Sequence, residues 1–119
     1  MHFRRPLVAI PALIVLLLLP RIALAHAHLL SSTPAANATV HGPGVVFELR
    51  YNSRVDGHHS VLTLVTSDGH TQVLSMDNQS ADNNLNAHAM LKPGSYSLRW
   101  QALSTDGHIT RGEIPFTVR

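Results

Sequence analysis

The sequence predicts an all-β domain of about seven strands, folded as a Greek-key β-sandwich or barrel. Three observations predict this fold class. Apolar and polar residues alternate with a period of two over most of the chain beyond residue 26, no segment repeats with the period of a helix, and turn-forming Asp-Gly and Pro-Gly pairs separate the alternating runs. About seven short strands divided by such turns are typical of an immunoglobulin-like sandwich.

The most regular predicted strand lies near the C-terminus. Its apolar residues Tyr96, Leu98, Trp100 and Ala102 share one face, and polar residues stand between them. One face is therefore expected in the core and the other in solvent. The other predicted strands are residues 28–31, 46–51, 61–66, 71–75, 85–91 and 113–118.

The first 25 residues have the pattern of a secretory signal peptide. Arg4 and Arg5 precede an apolar run over residues 7–19, and Ala23-Leu24-Ala25 supplies the small residues that a signal peptidase requires. A retained membrane anchor is the alternative, but a helix of this run would reach only about 20 Å across a hydrocarbon core of about 30 Å. We therefore predict cleavage after Ala25 and an exported domain of residues 26–119.

Charge and cysteine content exclude two classes of function. Removal of residues 1–25 would leave six of the nine basic residues against seven acidic ones, a net charge near −1. A domain without a basic stripe is not expected to bind nucleic acid. Because the chain has no cysteine, neither disulfides nor thiolate metal sites can stabilise it. We expect a monomer held together by its core.

Histidine is unusually frequent in this cysteine-free domain, and imidazole is a common ligand of copper, zinc and nickel. For most of the histidines taken singly, an exposed position in a turn is the expected role. His58 and His59 are candidates for a second, weaker imidazole site. The histidines beyond residue 25 are His26, His28, His41, His58, His59, His70, His88 and His108.

His26 differs from the others because cleavage would make it the first residue. Its amine and its ring Nδ1 could then chelate one metal ion as a histidine brace, a donor set that favours tetragonal Cu(II). The triplet Asp106-Gly107-His108 is a candidate for the remaining ligands. The same triplet occurs at 56–58 and 68–70, which lowers the specificity of the motif, and at 68–70 it indicates a hairpin turn. His28, two residues from His26, is a further candidate ligand.

Two segments resemble the CopC family of periplasmic copper-resistance proteins. They are the start His26-Ala27-His28-Leu29 and the block PGSYSLRWQALSTDGH over residues 93–108. The resemblance implies a cupredoxin-like Greek-key fold and one Cu(II) per chain. It also implies that His26 supplies amine and ring nitrogen, Asp106 a carboxylate oxygen and His108 an imidazole nitrogen. A periplasmic location and an inner-membrane partner of the CopD type follow from the same resemblance.

The sequence departs from this family in two places. Members with a second, Cu(I) site have a methionine-rich loop, but the predicted domain has only Met76 and Met90. We therefore expect Cu(II) binding alone, since thioethers are the ligands that Cu(I) prefers. Family members often have Phe-Ser-Glu-Pro-Val where this chain has Tyr51-Asn52-Ser53-Arg54-Val55, so that glutamate has no counterpart.

The sequence thus predicts a binding protein, not an enzyme, that sequesters Cu(II) or passes it to a partner. Two alternatives belong to other classes. A histidine-brace copper oxygenase would share the first residue but not the Asp-Gly-His carboxylate. A metal-free immunoglobulin-like interaction module would share the fold alone.

Overall fold

A computed structural model describes residues 26–119. The predicted signal peptide lies outside the described residues. Residues 26–119 form eight strands in two sheets, and none of the described segments is a helix that could cross a membrane. The all-β fold class is confirmed, with one strand more than expected.

The eight strands divide unequally between the sheets. The smaller sheet has the order β1-β3-β6 and the larger has the order β2-β8-β7-β4-β5. Antiparallel pairing of β3 with β6 and of β4 with β7 joins strands that are not consecutive, as a Greek-key sandwich requires. The strands are β1 Leu29–Thr33, β2 Ala38–Val40, β3 Gly44–Tyr51, β4 Val61–Thr66, β5 Thr71–Val73, β6 Asn84–Met90, β7 Gly94–Leu103 and β8 Ile109–Val118.

The sequence-based strand assignment misses β2 and the first four residues of β8. β2 has three residues and pairs in parallel with the end of β8, so it is too short to show an alternating pattern. Strand β8 begins at Ile109, four residues before its prediction, because residues 109–112 lack regular alternation. Since β7 pairs with β8 along its whole length, β7 rather than hydrophobic pattern fixes where β8 starts.

Aromatic side chains join the two sheets at two levels of the core. Phe47 of β3 meets Phe116 of β8 edge to face, with ring centroids 5.6 Å apart. Tyr51 of β3 meets Trp100 of β7 in the same manner at 5.4 Å. Such pairs add about 0.5–1.5 kcal/mol beyond the burial of their apolar area. The sheets are therefore fixed relative to each other close to the end of β3 at Tyr51.

The long hairpin of β7 and β8 sets the distance between two similar turns. Thr66, where β4 ends, pairs with Tyr96 near the start of β7, whereas Leu103 ends β7 and pairs with Ile109. Seven residues of extended strand separate Tyr96 from Leu103, a distance of about 24 Å. The turns at residues 66–70 and 104–108 therefore lie at opposite ends of the larger sheet.

Candidate metal centre

The Ser104–His108 segment is the tight turn between β7 and β8. Ser104 donates its N–H to the carbonyl of His108 at 2.8 Å, and Gly107 donates its N–H to the carbonyl of Ser104 at 2.9 Å. Gly107 has φ of 91°, a left-handed conformation that costs little only without a side chain. The Asp-Gly pair therefore specifies the turn. The turn places Asp106 and His108 on the same side of the hairpin end.

The carboxylate of Asp106 is fixed by hydrogen bonds from its own turn. The hydroxyl of Ser104 and the backbone N–H of His108 both donate to Asp106 Oδ1. The Ser104 hydroxyl, followed by that N–H, lowers the pKa of Asp106 from 3.8 to about 2. Both bonds favour the ionised form, so Asp106 offers a negative charge at any physiological pH.

The ring of His108 faces this carboxylate without a hydrogen bond to it. His108 Nδ1 lies 3.2 Å from Asp106 Oδ1, within ion-pair range, but it is buried and has no hydrogen-bond partner. Two ligand atoms, each about 2.0–2.2 Å from one divalent metal ion, are separated by about 2.8–3.1 Å at a right angle and by about 3.3–3.6 Å at the tetrahedral angle. The observed 3.2 Å lies between these values, so the two atoms are spaced as two ligands of one ion would be.

The N-terminal tripeptide of the described residues is attached to both sheets beside this turn. Ala27 is only 1% exposed, and its carbonyl accepts a 2.7 Å hydrogen bond from the hydroxyl of Thr110 in β8. The N–H of His28 donates to Asn52 Oδ1 at 2.8 Å, and the N–H of Asn52 donates to the carbonyl of His28 at 3.0 Å. Three hydrogen bonds and a buried methyl group thus fix the position of the backbone that carries His26.

The structure brings together the residues that the sequence singles out. The ring centroids of His26 and His108 are 5.0 Å apart, and those of His26 and His28 are 6.3 Å apart. Within residues 26–119 no three His, Asp or Glu side chains stand in a metal-binding arrangement. His26, Asp106 and His108 are therefore neighbours in this structure but do not form a closed three-ligand group.

Three other histidines form hydrogen bonds to carboxylates through Nδ1, unlike His108. His59 bonds to Asp56 at 2.8 Å, His70 to Asp68 at 2.7 Å and His88 to Asp77 at 2.7 Å. Each of these rings is more exposed than that of His108. The Asp-Gly-His triplet at 68–70 lies in a turn, as predicted, and the triplet at 56–58 lies in a turn as well.

Sequence reasoning overlooks Ser104, Thr110 and Asn52, which support the candidate site. Thr110 and Ala27 are 83 residues apart, and Asn52 and His28 are 24 apart, so no local pattern could pair them. The role of Ser104 could have been inferred from a sequence pattern. A hydroxyl residue stands two positions before Asp-Gly-His both here and at Thr66, as a repeated side-chain-capped turn would require.

Comparison with known proteins gives consistent matches. The family model for the CopC domain matches residues 29–119. The chain is 30% identical over 99 residues to Protein YobA of Escherichia coli K12, covering 80% of each. It is 27% identical over 110 residues to Copper transport protein CutJ of Bacillus subtilis, covering 89% of this chain and 20% of that one. The chain thus spans about a fifth of the length of CutJ.

Two solved structures have a similar fold. CopC from Methylosinus trichosporium OB3b superposes with a TM-score of 0.69 and 28% identity, covering 78% of this chain and 93% of that one. PcoC from Escherichia coli, described as a methionine rich copper resistance protein, gives a TM-score of 0.68 and 24% identity, covering 80% and 100%. The PcoC likeness supports the sandwich fold alone.

Proposed function

The chain belongs to the CopC family, and on this premise we propose that it is a periplasmic protein that binds one Cu(II) and serves copper resistance or transport. The family is one of copper-resistance and copper-transport proteins rather than enzymes, so the prediction that the chain is no enzyme is confirmed. In this proposal the signal peptide is cleaved after Ala25, and His26 is the first residue of the working protein.

The proposed ligands are His26, Asp106 and His108. The free amine and ring Nδ1 of His26 close a chelate that no internal histidine can form, and Asp106 and His108 add oxygen and nitrogen. Nitrogen and oxygen donors in this combination suit tetragonal Cu(II). The observation that carries the assignment is the unbonded pair of His108 Nδ1 and Asp106 Oδ1, 3.2 Å apart, beside the ring of His26.

The position of the proposed site suits a cargo ion. The side chains of Asp106 and His108 are each more than one third exposed, so another protein or a small chelator could reach the metal. One relative that contains a matching segment is named a copper transport protein, which supports transfer to a partner. We propose an inner-membrane protein of the CopD type as that partner, with sequestration as the alternative role. The scarcity of methionine argues for weak Cu(I) binding.

The proposal is tested by changing only what precedes His26. A protein that starts at His26 is compared with one that has a single glycine before it, which converts the amine to an amide and retains every side chain. We expect the added glycine to weaken Cu(II) binding, measured by competition with a chelator, at least as much as Asp106→Ala. Far-UV circular dichroism should be unchanged. An unchanged affinity would rule out the brace.

A further inference from the structure

The proposed terminus His26-Ala27-His28 can chelate Cu(II) in two different ways. In the brace, its own donors are the His26 amine and ring. In a four-nitrogen alternative, the amine, the backbone nitrogens of Ala27 and His28 and the His28 ring would surround the metal in one plane. Each amide then loses its proton to water as it forms a bond to Cu(II), with no change of oxidation state. Square-planar nitrogen sets suit both Cu(II) and Ni(II).

The folded structure holds the tripeptide in a conformation that opposes the second mode. The N–H of His28, which would have to ionise, donates to Asn52 Oδ1 at 2.8 Å. The carbonyls on either side of that N–H accept hydrogen bonds, Ala27 from Thr110 Oγ1 at 2.7 Å and His28 from the N–H of Asn52 at 3.0 Å. Binding of that nitrogen to a metal ion would break the bond to Asn52, and a change of backbone conformation around Ala27 would disturb the other two.

Burial adds to this restraint. Ala27 is 1% exposed and belongs to the core cluster, so its methyl group would have to leave the core before the backbone could fold around the ion. Leu29 is the first residue of β1 and pairs with Tyr51. This pairing holds the chain directly after His28 in an extended conformation. The brace requires none of these changes, because its donors all precede Ala27 or come from the turn at 104–108.

We propose that Asn52 and Thr110 are positioning residues that select the brace over the four-nitrogen mode. This inference rests on the proposed function, since it needs a free amine at His26. The hydrogen bond to Asn52 makes the His28 N–H unavailable to the metal, and the hydrogen bond from Thr110 holds Ala27 against β8. The pair therefore determines which copper complex forms, and with it whether Asp106 and His108 take part.

The test compares the Cu(II) complexes of variants by EPR and visible absorption. The same protein unfolded in urea, where the terminus is free, supplies the reference spectrum of the four-nitrogen complex. We expect wild type to lack this spectrum, and Asn52→Ala and Thr110→Val to gain it, the ratio of the two modes shifting roughly five- to tenfold per hydrogen bond removed. Asn52→Asp keeps an oxygen acceptor and should retain the wild-type spectrum.

Two controls identify the ligands of the new species. Adding His28→Ala to Asn52→Ala should abolish the four-nitrogen spectrum that Asn52→Ala alone shows. Ni(II) supplies a second readout, since Asn52→Ala should form a diamagnetic square-planar Ni(II) complex that wild type forms weakly. Thermal denaturation of the metal-free variants shows that each is folded.

The possible failures are distinct. A His28-dependent four-nitrogen spectrum in folded wild type, or none in both Asn52→Ala and Thr110→Val, would overturn the positioning role. If instead the wild-type spectrum is insensitive both to His108→Ala and to a glycine before His26, the proposed brace itself is wrong.

Discussion

Two turns of this protein have nearly the same sequence and backbone but different surroundings. Residues 66–70 read Thr-Ser-Asp-Gly-His and residues 104–108 read Ser-Thr-Asp-Gly-His. Their glycines have φ of 89° and 91°, and in both turns the first residue donates its N–H to the carbonyl of the histidine. In both, a hydroxyl group lowers the pKa of the aspartate to about 2.

The difference between the turns is in the histidine and in what lies beside it. His70 is 83% exposed, and its Nδ1 hydrogen-bonds to Asp68 at 2.7 Å. His108 is 40% exposed, and its Nδ1 is buried without a hydrogen bond, with the ring of His26 5.0 Å away. A turn motif therefore supplies a carboxylate and an imidazole, but only the adjoining N-terminal segment could make it a copper site.

The largest expected difference is in copper affinity. His108→Ala should weaken Cu(II) binding by about a hundredfold or more, since it removes a proposed ligand and even outer contacts of metal sites contribute 10- to 100-fold. His70→Ala, the matched change in the other turn, should have no measurable effect. Chelator competition measures both. Equal losses would mean that the two turns are equivalent sites.

The gain in thermal stability on adding Cu(II) should also depend on the turn at 104–108 and not on the turn at 66–70. A ligand that binds only the folded state at a hundredfold excess over its Kd stabilises by about 2.7 kcal/mol. In a domain of this size that corresponds to a rise in Tm of about 10–20 °C. Wild type and His70→Ala should show this rise with Cu(II), and His108→Ala a much smaller one at the same concentration. A full rise in His108→Ala would contradict the shared site.

The smallest effect concerns the hydroxyl groups. Ser104→Ala and Thr66→Val should each raise the pKa of the neighbouring aspartate from about 2 toward 3.8, as measured by NMR of the carboxyl carbons. Each native pKa lies below its unfolded value, so the stabilisation is present above about pH 4 and is lost as pH falls toward 2. The variants should therefore be less stable than wild type above pH 4 and approach it near pH 2.

Copper should distinguish these two hydroxyl variants even though their carboxyl groups titrate alike. Ser104→Ala is expected to weaken Cu(II) binding several-fold, because Asp106 loses the bond that orients it, whereas Thr66→Val should leave it unchanged. A loss of affinity in Thr66→Val would show that the turn at 66–70 contributes to binding after all.

Much of the fold could be predicted because local pattern reports burial. Leu98, Trp100 and Ala102 are buried as their alternation requires, and so are Phe116 and Val118. Alternation says nothing about β2, a three-residue strand whose place is set by pairing with a distant one. The order of the strands in the sheets could not be predicted, because it depends on pairs of non-consecutive strands, which sequence spacing cannot reveal.

The proposed ligands of the candidate site come from the sequence, whereas the residues that support them do not. Asp106 and His108 stand in a recognisable triplet, and His26 follows a recognisable cleavage pattern. By contrast, Thr110 and Asn52 act on the N-terminal tripeptide through single hydrogen bonds across long stretches of chain. The triplets at 56–58, 68–70 and 106–108 have the same composition. The sequence alone therefore does not show which of them lies beside the N-terminal tripeptide.

The most direct measurement follows the histidine ring protons by NMR while Cu(II) is added in small fractions of an equivalent to the protein that starts at His26. Paramagnetic Cu(II) broadens only nearby resonances, and His→Ala variants assign each ring. If the terminus and the late turn share one ion, His26 and His108 should broaden together at the lowest copper, while His70 stays sharp. Broadening of His70 first, or of His26 and His108 at clearly different copper levels, would contradict a single shared site.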